Sequence, residues 1–231
     1  MKNHSASPLL LAGALALGIT VTISAVLFAS TPARATNSAP AIEAFNAAFS
    51  KVNDYTFDLH AHEIQGTDVQ DRVYHYWFMK PHFAKTLIAS GPGRGSGGVW
   101  TGGDQVSGHQ GGLLSGIHLK VDLHDGRAVS LRGYTIPDGL LQNIVERFVD
   151  TPGTLSQAPG GKLDGVDTDR LDLKIADPTK NGGITEQLLY LSQETHFPVR
   201  QILYQDKTIV LDQTFADIKT NNGLSQNDFP Y

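Results

Sequence analysis

Residues 73–79, Val-Tyr-His-Tyr-Trp-Phe-Met, read as a strand with large apolar side chains on both of its faces. Successive side chains leave a strand on opposite sides. Val73, Trp77 and Met79 therefore share one face, and Tyr74, Tyr76 and Phe78 share the other. An ordinary half-exposed strand is apolar on one face only. Here both faces must meet apolar partners, or one of them must line a cavity. That requirement points to a β-rich fold with a sheet covered on at least one side.

The flanking sequence supplies the rest of such a sheet. Upstream, Ile42, Phe45, Ala48, Phe49 and Val52 recur at three- and four-residue spacing, the mark of an amphipathic helix. Asn53-Asp54 ends it, and the period drops to two. Tyr55, Phe57, Leu59 and Ala61 alternate with Thr56, Asp58, His60 and His62. Gln65 to Asp68 forms a turn, so the strand over about 69–79 returns antiparallel. Pro81 stops it, and Phe83 to Ile88 follows as a third strand. Residues 91–116 contain 11 glycines in 26 positions and are expected to be a mobile loop around a short strand at Val99-Trp100. His118 to His124 alternates briefly. Pro137-Asp138 then starts a second helix whose stripe is Leu140, Leu141, Ile144, Val145 and Phe148, ending near Asp150. Beyond it, strands are expected through Leu171, Leu173 and Ile175, over 185–191, over 199–204 and over 208–219. Tight turns between them make an antiparallel meander.

Residues 1–35 read as a targeting segment. Lys2 is a weakly basic start, Leu9 to Ala29 is nearly all apolar or small, and Ala33-Arg34-Ala35 is a small-x-small cleavage site, with cutting expected after Ala35. The apolar run is also long enough to serve as an uncleaved anchor. The chain has no cysteine, so disulfides, thiolate metal sites and an N-terminal lipid on cysteine are excluded. Residues 36–231 are one domain with room for a sizeable core. Without Lys2 and Arg34, 16 basic side chains face 23 acidic ones, a net charge of −7. That balance argues against nucleic acid and against electrostatic docking on anionic lipid.

Catalytic patterns are scarce. The glycine-rich stretch lacks the Lys-Ser/Thr ending of a phosphate loop, no Gly-x-Ser-x-Gly elbow occurs, and no cofactor motif is present. The sharpest enzymatic alternative is a metal-dependent hydrolase. His60 and His62 lie two apart on one strand face and could share a Zn²⁺, with His75, His118 or His124 completing the set. A His-x-His pair on the polar side of a half-exposed strand is more commonly solvated surface. Asp164, Asp167, Asp169 and Asp172 lack the spacing of a calcium loop.

The order of elements resembles a known family. A helix, then Tyr-Thr-Phe-Asp-Leu-His (55–60), Tyr-Trp-Phe-Met-Lys-Pro (76–81) and Phe-Ala-Lys-Thr-Leu (83–87) resemble the opening of LolA-like proteins, the periplasmic carriers of outer-membrane lipoproteins and their relatives. Residues 197–206 and 214–229 resemble the closing hairpin and tail of that family, and 139–148 one of its helices. The resemblance implies an α+β, mostly β fold: a curved antiparallel sheet forming an unclosed half-barrel, with helices over an apolar cavity. It implies binding of lipid or lipoprotein acyl chains without catalysis, with membrane-bound donor and acceptor proteins as further partners, or alternatively a sensor of the same fold that transports nothing. Phe57, Leu59, Trp77 and Phe78 are the expected cavity walls. Carriers of the family commonly have a lid-holding arginine before the strand-ending proline. This chain has Lys80 there, a point charge in place of a planar fork. The glycine-rich segment brings the chain nearer to the uncharacterised relatives than to the dedicated carriers.

Overall fold

The change of period at Asn53-Asp54 marks a real boundary in the computed structural model, which describes residues 38–230. Helix α1 (Pro40–Phe49) begins with proline in its first turn, where the missing amide costs nothing. It buries Ala41, Ile42 and Phe45. Its Ala41 amide donates to Gln157 Oε1 at 3.2 Å, and the Phe45 ring meets Phe197 edge-on at 6.1 Å. The targeting segment expected over 1–35 lies outside the described residues. No described helix is long and apolar enough to cross a membrane.

Eleven strands form one sheet: β1 (Asp54–Gln65), β2 (Asp68–Met79), β3 (Phe83–Ser90), β4 (Gly97–Trp100), β5 (Gln105–His109), β6 (His118–Asp122), β7 (Gly153–Leu163), β8 (Val166–Ile175), β9 (Glu186–Ser192), β10 (Pro198–Gln205) and β11 (Thr208–Thr220). The order is β6-β5-β4-β3-β2-β1-β11-β10-β9-β8-β7, and every paired neighbour is antiparallel. Two meanders thus join where the first strand pairs with the last. The sheet does not close, since β6 and β7 remain edges. The fold is therefore the unclosed half-barrel that the sequence leads one to expect.

Helix α2 (Leu141–Asp150) follows a 3-10 turn, Pro137–Gly139, and buries Leu141, Ile144, Val145 and Phe148. These side chains join the inner face of the sheet, where Tyr55, Phe57, Phe78, Leu171, Leu173 and Leu189 are all almost fully buried. Burying a side chain of this size contributes about 1.5–3 kcal/mol, so this face supplies most of the hydrophobic stabilisation.

Two elements depart from expectation. The segment 91–116 is not a loop around one short strand. It carries both β4 and β5, joined in register by Gly97↔His109, Gly98↔Gly108 and Val99↔Ser107. The backbone ladder between neighbours holds these glycines extended, although glycine itself favours no strand. Residues 153–163, to which the sequence pattern assigns no element, form the edge strand β7, whose ladder shifts register between Pro159 and Gly161. Proline is tolerated there because an edge or bulge position does not need its amide.

Candidate functional site

Register fixes which face of the aromatic ribbon looks inward. Tyr55, Phe57, Leu59 and Ala61 of β1 stand opposite Phe78, Tyr76, Tyr74 and Arg72 of β2, so Tyr74, Tyr76 and Phe78 share the inner face. The other face, with Val73, Trp77 and Met79, is half-buried on the outside of the sheet. There the Lys85 ammonium stands 4.7 Å from the Trp77 ring centroid, which shields the indole with an aliphatic stem and a cation–π contact.

Side-chain size falls to a glycine pair along one row that crosses the sheet, and recovers only at the edge strand. Phe57, Tyr76, Thr86, Gly98, Gly108 and Leu119 are successive cross-strand partners. At the aromatic end, α2 and its neighbours fill the space. Toward the glycine pair, the side chains run out. A hollow of about 790 Å³ opens here, between the inner face of β1 to β6 and the irregular segment over 124–136. Such a volume lies within the range of small-ligand sites, about 300–1,000 Å³. Leu59, Tyr74 and Tyr76 form part of its wall, Val106, Leu119 and Val121 extend it, and Ala128, Val129 and Ile136 cover it. A Cβ built on Gly98 would stand 3.0 Å from Ile136 Cδ1 and 3.3 Å from Val106 Cγ2, so this glycine keeps the cover close to the sheet.

The polar groups of the hollow are mostly engaged with one another. Glu63, 3 % exposed, continues the inward face of β1 and accepts from the Arg132 amide at 2.9 Å. The Arg132 guanidinium in turn donates Nη1 to the Ile64 carbonyl at 2.6 Å, which ties the covering segment to the end of β1. Arg147 Nη1 donates to the Asp138 carbonyl at 2.8 Å and pairs with Asp138 Oδ1 at 3.0 Å, over the Tyr134 ring. Arg72 donates Nε to the Pro92 carbonyl at 2.7 Å and Nη1 to the Tyr74 hydroxyl at 3.2 Å. Burial holds the phenols of Tyr74, Tyr76 and Tyr134 above the usual tyrosine range, so the aromatic wall stays neutral.

Of the residues singled out in the sequence, Leu59 lines the hollow. Phe57 and Phe78 sit beside it in the packed core, each 2 % exposed, and Trp77 is on the opposite side of the sheet. Lys80 reaches helix α1. Its Nζ donates to the Phe49 carbonyl at 3.1 Å and lies 4.6 Å from the Phe49 ring centroid, fastening the C-terminal end of α1, where a cation complements the helix dipole. His60 and His62 do share the outer face, but His62 Nδ1 is 2.7 Å from Asp71 Oδ1, and His75 pairs with Asp58. Among the described residues, no group of three or more His, Cys, Asp or Glu is placed to hold a metal ion. Sequence reasoning missed Glu63, Arg132 and Tyr134. The period of two does put Glu63 on the inward face; its charge breaks the apolar alternation that would have flagged it.

An unclosed antiparallel half-barrel with a covered hollow on its inner face defines the class. No protein-family model and no curated protein matches this sequence. Solved structures do match it in fold. One is an uncharacterized conserved protein from Thermus thermophilus, with 11 % identity, 82 % of this chain and 92 % of that chain covered, and a TM-score of 0.54. Looser overlaps include the LolA superfamily protein from Nitrosomonas europaea, with 11 % identity, 84 % and 99 % covered and a TM-score of 0.38. Lipoprotein LppX from Mycobacterium tuberculosis overlaps with 13 % identity, 80 % and 95 % covered and a TM-score of 0.47. At 11 % identity the likeness to the Thermus thermophilus protein is one of fold alone.

Proposed function

We propose that this protein binds a lipid, or the acyl chain of a lipoprotein, in the hollow under residues 124–136, as a carrier would and without catalysis. The observation that carries this reading is the hollow itself, about 790 Å³, whose wall joins aliphatic side chains and neutral tyrosines to charged groups such as Arg72, Asp138 and Arg147 that are bonded within the protein. Each methylene moved from water into such a site contributes about 0.8 kcal/mol, so a long acyl chain gains on the order of 10 kcal/mol. The engaged polar groups support it further: Arg147 and Arg72, both in the wall, already have protein partners, which leaves the apolar part of the wall for a guest. The targeting segment at 1–35 supports export, and the periplasm is the compartment we propose.

Leu59, Tyr74, Tyr76 and Val106 are proposed to contact the ligand, with Phe57 and Phe78 as rigid backing. The test uses protein recovered from an exporting host. Native mass spectrometry should show co-purifying lipid, and the delipidated protein should bind a fluorescent fatty acid. Gly98→Leu, which projects a side chain toward Ile136 and Val106, should weaken that probe at least about tenfold, the scale of a filled methylene site or two, while circular dichroism stays unchanged. Full probe affinity in a folded Gly98→Leu protein overturns the proposal.

A further inference from the structure

Residues 72–121, most of β2 through nearly all of β6, carry five lysines and arginines (Arg72, Lys80, Lys85, Arg94 and Lys120) against a single acid, Asp104. That stretch has a net charge of +4 in a chain of net charge −5. The whole-chain balance, which argued against docking on anionic lipid, averages over this basic stretch and an acidic remainder that begins at Asp71 on one side and Asp122 on the other.

The apolar exposure falls in the same place. Among the described residues, three of the four exposed large hydrophobic side chains are Leu113, Ile117 and Leu119, all within seven positions. Ile117 and Leu119 also line the hollow, so the exposed lip and the cavity wall are one continuous surface. The strand that carries Leu119, β6, is a sheet edge.

Cations border this lip. Lys120 is exposed beside Leu119, on the alternate face of β6. Arg94 is exposed as well, and its turn reaches the lip: the Gly111 amide donates to Ser96 Oγ at 3.0 Å, and Gly111 lies so close to the Arg94 carbonyl that no Cβ would fit. At this end of the β5–β6 pair, His109 faces His118, with ring centroids 5.5 Å apart. The acid of β6 belongs to the other end, where Asp122 pairs with Gln105.

We propose that this corner docks on an anionic phospholipid bilayer. Leu113, Ile117 and Leu119 enter the boundary of the acyl region, while Arg94 and Lys120 lie among the headgroups. The inference rests on the lipid-binding reading above and deepens it, because an acyl chain could then pass from bilayer to hollow along apolar surface without crossing water. An acidic protein surface would suit the cations equally, but it would leave the continuity between lip and hollow without a purpose.

The test is co-sedimentation of the exported protein with vesicles of phosphatidylcholine alone or with one-third phosphatidylglycerol, at low and high salt. Binding should require phosphatidylglycerol and weaken at high salt. The variants Leu113→Ser and Lys120→Glu should each lose about tenfold in partitioning. Both should keep full affinity for the soluble fluorescent fatty acid, while Gly98→Leu should do the reverse, so a failure of docking and a failure of the hollow are told apart. Equal binding to both vesicle types overturns the proposal, as does unchanged partitioning of the variants. It is also overturned if the exported protein self-associates in sedimentation through this lip, or if it binds a soluble polyacid as well as vesicles and Leu113→Ser leaves that binding intact.

Discussion

The hydroxyl of Tyr55, on β1, accepts a hydrogen bond from the Leu141 amide at 3.1 Å and so holds the first turn of α2 against the sheet. The same hydroxyl donates to Gln142 Oε1 at 2.7 Å. Helix α2 has no side-chain cap of its own, because Leu140 occupies the capping position. A strand residue therefore does the work that Ser, Thr, Asp or Asn does at most helix starts. This joint also sets how far α2 reaches along the inner face, and hence where the filled core stops and the hollow begins.

Replacing Tyr55 by Phe keeps the ring but removes the hydroxyl, leaving the Leu141 amide buried without a partner. A destabilisation of about 1–3 kcal/mol is expected. Urea unfolding followed by circular dichroism measures it. An unchanged midpoint would show that the helix start finds another acceptor.

Glu63 and Arg132 tie the covering segment to β1 by two hydrogen bonds. Glu63→Ala should leave the sheet intact and speed amide hydrogen exchange over about 124–136 relative to the rest of the chain. Exchange mass spectrometry reads this directly. Uniform acceleration across all peptides would instead indicate global destabilisation.

The buried tyrosines make stability sensitive to alkali. Burial raises the folded-state pKa of Tyr55 and Tyr76 far above the usual value near 10, which the unfolded chain retains. Above pH 10 the unfolded state sheds these protons and the folded state does not, so their contribution is complete below pH 10 and is lost as the pH rises beyond it. The urea midpoint should hold steady from pH 7 to 9 and fall by pH 11. Tyr76→Phe should flatten that fall.

Asp54, 4 % exposed, accepts from the Asn222 amide at 2.6 Å and the Gly223 amide at 3.2 Å, pinning the C-terminal tail to the start of β1. Asp54→Ala should cost about 1.5–3 kcal/mol, the scale of hydrogen bonds to a charged group. Limited proteolysis should then cut first within residues 221–230. An intact tail under those conditions would place its anchorage elsewhere, for example on the Phe229 ring against Phe83.

Much of this was legible in the sequence, for identifiable reasons. The boundary between α1 and β1 shows because Phe49 ends a period near four and Tyr55 begins a period of two. The C-terminal meander shows because apolar runs such as Leu188 to Leu191 are separated by turn residues. Strand β5 does not show, because Gly108 and its partner Gly98 take their extended geometry from the neighbouring ladder and not from their own propensity. Strand β7 is hidden by Pro159, Gly160 and Gly161, which an edge position tolerates. Which face of the Tyr74–Met79 ribbon turns inward follows from its register with β1, which the ribbon's own two apolar faces do not reveal. The charged members of the hollow stayed invisible for a related reason: Glu63 and Arg132 meet through a chain separation of 69 residues.

The pairing of the first strand with the last has a kinetic consequence. Residues 54–65 find half of their ladder only in residues 208–220, so the middle of the sheet awaits a strand about 150 residues further on. Contacts this distant close slowly, since a long loop must lose its freedom before any reward arrives. Each meander can nucleate on local hairpins, but neither can complete the native sheet alone. A nascent chain of this kind stays short of its final form until residues 208–220 have emerged, and refolding from denaturant is expected on the millisecond-to-second scale of β-rich topologies.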